Sequence, residues 1–185
     1  GAVAQLRESD KTIGRAFVLG LLAHYLLDSS AHPFIYAQED AICSAGVGLE
    51  DARSEVHAII ESDLDSWMLW SLCGRTIEDT TPASMLVRTE RIGLIASALL
   101  SHTALQVFSI KLNANEYASC VADYELVCRI IEPAGSHVSQ AISSFERIGR
   151  SYSILSALAH RVTTSDECAA ANLGHSPWAD PATGE

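Results

Sequence analysis

The sequence is poor in basic and in aromatic residues, and both shortages exclude classes of function. Its 185 residues include 12 lysines and arginines against 23 aspartates and glutamates, which gives a formal net charge of −11 with neutral histidines. Binding duplex nucleic acid by neutralising phosphates requires a basic face, so we expect no duplex partner. Aromatic residues make up 6% of the chain, too few for a base-stacking platform. The acidic balance is compatible with an enzyme that holds divalent metal ions.

The sequence also lacks a cysteine framework and a long apolar run. Its five cysteines are scattered, odd in number and without a C-x-x-C motif, which argues against a disulfide scaffold or a zinc ribbon. The most apolar run, 16–27, contains His24 and is shorter than the roughly 20 residues of a membrane span, so we predict no transmembrane segment. Unpaired cysteines suit a cytoplasmic location. The alternative is secretion, if the given sequence lacks an N-terminal signal peptide that the protein carries.

Helical periodicity is present throughout, whereas the alternation typical of strands is absent. We therefore predict a single all-α domain over residues 1–185, with about six helices and an irregular C-terminal tail. The first helix is predicted to end at Ala31, before His32-Pro33, because a residue that precedes proline disfavours the α conformation. Caps and breakers place the helices at 11–31, 49–72, 80–87, 88–111, 115–131 and 136–160.

Histidines and acids recur at helical spacing in two places. His24 precedes Asp28 by four residues, and His57 precedes Glu61 by the same interval. Residues four apart lie on one helix face, so each pair can reach a common ion. Imidazole and carboxylate are ligands that zinc and similar dications accept. Between the two pairs lies a fifth candidate ligand, His32.

The same spacing also permits an interpretation without metal, in which histidines and acids form a hydrogen-bond network between helices. A single pair would favour that network, whereas two pairs together with His32 favour a metal. Helical patterning does not select the ion. Asp65 continues the face of His57 and Glu61, either as an acceptor that orients a ligand histidine or as an ordinary surface acid.

Three segments resemble the zinc-dependent phospholipase C family, in particular its bacterial branch of poorly characterised members. They are GLLAHYLLDSSAHPF (20–34), HAIIESDLD (57–65) and NLGHSPWADP (172–181). The resemblance is dense over 14–65 and thin between 75 and 165. It implies a multi-helix bundle with up to three zinc ions that hydrolyses phospholipid phosphodiesters. Single-strand nucleases share this scaffold.

By position, the resemblance matches His24 and Asp28 to ligands of the zinc pair, with the aspartate bridging. It matches His32, His57 and Glu61 to the ligands of the remaining zinc. The mechanism that it implies is attack on phosphorus by a zinc-activated water. The substrate would be a phospholipid or another phosphodiester.

The family takes further ligands, and a candidate general base, from a segment upstream of this helix. Before His24 the chain has Asp10 as its one aspartate and has no histidine. We therefore expect an upstream segment to be lacking here and fewer than three zinc ions to bind. The resulting hypotheses are a phospholipase C-like hydrolase, a single-strand nuclease of the same scaffold, and a non-catalytic helical module with a vestigial metal site.

Overall fold

The structure is a computed structural model that describes residues 2–46, 48–149 and 151–184. The described residues form six α-helices and short 3₁₀ turns and contain no strand, so the all-α prediction is confirmed. The helices are α1 (Lys11–Ala45), α2 (Arg53–Cys73), α3 (Glu90–Phe108), α4 (Glu116–Ile131), α5 (His137–Glu146) and α6 (Ile154–Ala157). The chain divides into two compact units, and the single domain predicted from the sequence stays a prediction.

The first unit comprises Gly1–Ser29 and Leu86–Leu126. Ile95, Ala96 and Leu99 form the buried face of α3, at the spacing expected of an amphipathic helix. Thr89 caps the start of α3, because its side chain accepts a hydrogen bond from the backbone N–H of Ile92 at 3.2 Å. By length and composition alone α3 could span a membrane, yet the described residues contain no clear transmembrane segment.

The second unit comprises Ser30–Met85 and Val127–Glu185. Its core joins α1, α2 and the 3₁₀ turn Ala169–Ala171. The core side chains are Ile35, Cys43, Ala52, Val56, Ile60 and Ala170. Helix α2 also contacts α6, where the buried hydroxyl of Ser62 donates to the backbone oxygen of Ala157 at 3.2 Å.

Three of the predicted helices differ from the structure. Helix α1 continues through Pro33 for more than three further turns, although the proline ring removes one backbone hydrogen bond. Ile35, Glu39 and Cys43 recur every four residues beyond it and form a buried stripe. Packing of the apolar members of this stripe against α2 outweighs the local preference to stop.

The predicted helix 136–160 is instead two helices, α5 and α6, separated by a stretch that includes Arg150, which lies outside the described residues. The described part of this stretch forms turns and bends. Ser153 then caps α6, because its hydroxyl accepts from the backbone N–H of Ser156 at 3.1 Å. The predicted helix 80–87 is a 3₁₀ turn, Pro82–Met85. A serine whose hydroxyl can accept from a backbone N–H, as Ser153 does, favours the start of a new helix over the continuation of the old one.

The ends of α2 and α4 agree with the prediction. Gly74 follows α2 with φ = 61°, in the left-handed conformation that glycine adopts without steric cost. Helix α4 ends at Ile131, two residues before Pro133. No disulfide is formed by the five cysteines, all of which are described. The glycine after α2 and the proline after α4 thus mark the two helix ends that the sequence predicted.

Candidate metal centre

His32, His57 and Glu61 converge in the second unit. Glu61 Oε1 lies 3.3 Å from His32 Nε2 and 3.2 Å from His57 Nε2. The ligand atoms of all three side chains lie within 4.8 Å of one another. In the described part of the chain, no other group of three or more His, Cys, Asp or Glu side chains could hold an ion in this way. The structure thus brings together residues from α1 and α2 that are 29 positions apart.

The hydrogen bond on the other side of the His57 ring determines what its Nε2 can do. Glu39 Oε2 lies 3.0 Å from His57 Nδ1. An ionised carboxylate can only accept, so Nδ1 is the donor, and Nε2 of the neutral ring carries a lone pair. That lone pair faces the oxygen of Glu61. Two lone pairs at this distance repel each other unless a proton or a metal ion lies between them.

The donor set fits a metal ion. Two imidazole nitrogens and one carboxylate oxygen are a known three-residue ligand set of catalytic zinc sites, which leave the fourth position open. Ligand atoms about 2.0–2.1 Å from a tetrahedral zinc are about 3.3 Å apart, and the two distances to Glu61 Oε1 have this value. A His-His-Glu group that could bind a metal ion is therefore present, and its geometry does not identify the metal as zinc.

The group lies at a partly open surface. The side chains of His57, His32 and Glu61 are 19%, 31% and 42% exposed. Tyr36 packs against both imidazoles, with ring centroids 5.4 Å from His32 and 5.1 Å from His57. The protein therefore supports the histidine rings from one side while solvent reaches Glu61.

Glu39 was missed by sequence reasoning. Its side chain is 10% exposed, and its second oxygen accepts from Arg53 Nη1 at 3.2 Å. Arg53 Nη2 also donates to Asp40 Oδ1 at 2.9 Å. Hydrogen bonds to Asp40 and then to Glu39 raise the pKa of the Arg53 guanidinium, so it is a permanent cation. The signal was present, because Glu39 follows His32 by seven residues, two turns along a helix that passes through Pro33.

His24 and Asp28, the other predicted ligands, belong to the first unit. His24 Nε2 lies 3.3 Å from Asp28 Oδ2, and the two side chains are 72% and 40% exposed. Among the described residues, no third ligand side chain forms a metal-sized group with them. The structure confirms that the spacing forms a pair, whereas their role as ligands stays a prediction.

Asp65 was considered as an acid that orients a ligand histidine. Its Oδ2 lies 3.5 Å from Nε2 of His160, a histidine outside the group. His160 Nδ1 contacts Glu132 on its other side. Hydrogen bonds to Asp65 and Glu132 raise the pKa of His160 to about 9, so this ring is a cation at neutral pH. The acid that holds His57 is Glu39, and Asp65 forms a separate ion pair.

Comparison with protein-family models, with curated proteins and with solved structures gave no match for this chain. The resemblance to the zinc-dependent phospholipase C family therefore stays a prediction from sequence.

Proposed function

We propose that this protein is a metal-dependent hydrolase of phosphodiesters, with zinc as the resident ion. The observation that carries the proposal is the convergence of His32, His57 and Glu61 at a partly open surface. The resemblance of 20–34, 57–65 and 172–181 to phospholipase C sequences supplies the substrate class. Neither argument depends on the other.

His32, His57 and Glu61 would hold the ion. When bound, zinc would supply Lewis-acid activation of water and of the phosphoryl oxygens at neutral pH. The residues of the chain bind and orient: Glu39 fixes the tautomer of His57, and Tyr36 packs on both rings. Glu61 is the most exposed of the three side chains, so water and a phosphate group could reach an ion held there.

Charge supports a metal at this place. Glu39, Asp40 and Glu61 together bring three negative charges, against one from the guanidinium of Arg53, and the chain as a whole is at −11. A phosphodiester is itself an anion, so an acidic site without a cation would repel it. A dication held by this group would offset the local negative charge and so remove that repulsion.

The test measures metal content and turnover together. Purified protein is analysed for metals per chain by mass spectrometry and assayed with a chromogenic choline phosphodiester and with single-stranded DNA. Glu61→Gln keeps the size of the side chain and removes its charge, and His102→Ala on the exposed face of α3 is the matched control. We expect about one zinc per chain and choline-ester turnover, both lost in Glu61→Gln and kept in His102→Ala.

Each other outcome overturns a defined part of the proposal. Zinc without turnover on either substrate leaves a non-catalytic metal module and rejects the hydrolase. Turnover of single-stranded DNA alone replaces the phospholipid-like substrate with nucleic acid. Protein that takes up no metal, even with excess zinc supplied, rejects the site.

A further inference from the structure

A second acid lies behind the metal ligands, and its role goes beyond holding two helices together. Glu39 belongs to the stripe formed with Ile35 and Cys43, which is otherwise apolar. A buried carboxylate is unfavourable unless both of its oxygens are hydrogen-bonded and its charge is paired. In this structure Oε2 accepts from His57 and Oε1 accepts from Arg53.

We propose that Glu39 is a positioning residue that prepares His57 to bind the metal, and that Arg53 holds Glu39 in this role. The proposal rests on the proposed metal site. Because Glu39 Oε2 accepts from Nδ1 of His57, Nε2 is the atom that faces Glu61. The ring is therefore in the ligand tautomer before any metal arrives.

Arg53 fixes the orientation of the Glu39 carboxylate by donating to its second oxygen. Its guanidinium forms a fork, with one nitrogen on Glu39 and the other on Asp40, at the first residue of α2. Pairing with this cation compensates the charge of the buried carboxylate. It also engages Oε1 in a hydrogen bond, so that Oε2 is the oxygen that orients His57.

A simple salt bridge between α1 and α2 is the competing interpretation. In that case the loss of Glu39 would lower the stability of the protein without changing how His57 coordinates a metal. The two interpretations differ in the tautomer of His57, in metal affinity, and in the electronic spectrum of a bound transition metal. None of these quantities follows stability alone.

The experiment compares three variants of the full chain. Glu39→Ala removes the acceptor, and Glu39→Gln keeps an oxygen that can accept but removes the charge. Asp40→Asn is the matched control, because Asp40 pairs with the same guanidinium and is half exposed. Zinc affinity is measured by competition with a chromogenic chelator, and cobalt(II) replaces zinc for visible absorption.

We expect Glu39→Ala to weaken zinc binding roughly 10–100-fold and to alter the cobalt absorption, as loss of an outer hydrogen-bond partner does at zinc sites. The zinc affinity of Glu39→Gln should lie between those of Glu39→Ala and wild type. The zinc affinity of Asp40→Asn should be within about twofold of wild type, because this variant leaves the contact of Glu39 with His57 in place. Long-range ¹H–¹⁵N NMR of metal-free wild type should show His57 protonated at Nδ1.

Two outcomes overturn the proposal in distinguishable ways. If wild type binds zinc and Glu39→Ala binds equally well with an unchanged cobalt spectrum, the positioning role is rejected and the metal site stands. If wild type takes up no zinc or cobalt, the metal site itself is rejected, and the role of Glu39 is rejected with it.

Discussion

Two histidine–acid pairs with identical spacing have different surroundings. His24 and Asp28 lie one turn apart on α1, as do His57 and Glu61 on α2. The first pair is largely exposed and its ring contacts a single acid. The second has a histidine from another helix against its carboxylate and a buried acid behind its ring. Spacing on one helix makes a pair, whereas a second helix makes a group that can hold an ion.

Helix α1 shows the same contrast along its own length. Residues 18–27 are all exposed, although seven of these ten are large and apolar, one of them a tyrosine. Beyond Pro33, by contrast, every fourth residue from Ile35 to Cys43 is buried. Apolar composition is stronger in the first part, and burial is found only in the second. Hydropathy alone therefore does not identify the part of a helix that forms a core.

The largest effect should come from removing one histidine of each pair. His57→Ala deletes a ligand, so zinc affinity should fall by more than about 100-fold, beyond the loss typical of outer partners. His24→Ala removes an exposed ring that is in no three-ligand group among the described residues, and it should leave the affinity of this site within about twofold. Chelator competition on metal-stripped protein measures both.

A loss of zinc affinity in His24→Ala would contradict the comparison of the two histidine–acid pairs. If His24→Ala weakened the tightest zinc site as much as His57→Ala does, the pair on α1 would belong to that site. His102→Ala serves again as control, because this exposed histidine of α3 is in no ligand group among the described residues.

A smaller effect is expected on the free energy of unfolding when a buried and an exposed apolar residue are each truncated to alanine. Ile60 is 3% exposed within the core of the second unit, and truncation to alanine leaves a cavity that should cost about 2–4 kcal/mol in the free energy of unfolding. Leu22 of the first unit is 50% exposed, and Leu22→Ala should cost at most about 0.5 kcal/mol. Urea denaturation followed by circular dichroism gives both values.

These measurements require a chelator, because a ligand that binds the folded state alone adds to stability. Equal losses for Ile60→Ala and Leu22→Ala would mean that the face of α1 around Leu22 is covered in solution. The contrast between the two parts of α1 would then not describe the protein as purified.

Local sequence signals predicted the helices well wherever a cap or breaker acted alone, as at Gly74 and Pro133. They failed at Pro33, where packing of Ile35 and Cys43 against α2 outweighs one missing hydrogen bond. That error also hid Glu39, because its two-turn relation to His32 exists only if the helix continues. The ligand pairs were visible as spacing, whereas the convergence of α1 and α2 depends on tertiary contacts that no local pattern encodes.

The smallest effect concerns a third histidine, His160, which has an acid on each side of its ring. Asp65 and Glu132 raise its pKa from an ordinary 6.5 to about 9, so the folded state binds a proton that the unfolded state releases between these values. Stability from this ion pair is fully present below about pH 6.5 and is lost as the pH rises through about 9. The difference in pKa sets an upper limit of about 3 kcal/mol. Screening at Asp65, which is 72% exposed, lowers our expectation to about 1–2 kcal/mol.

Urea denaturation of wild type and His160→Gln at pH 6.5, 8 and 9.5 isolates this contribution, because the variant keeps the acids and lacks the titrating ring. The stability advantage of wild type should shrink steadily as the pH rises. His24→Gln, which removes a histidine ring with an exposed side chain, provides the comparison. A constant difference for His160→Gln would show that burial of the ring, and not its charge, stabilises this corner of the second unit. The number of acids around the ring would then not explain how His160 differs from His24.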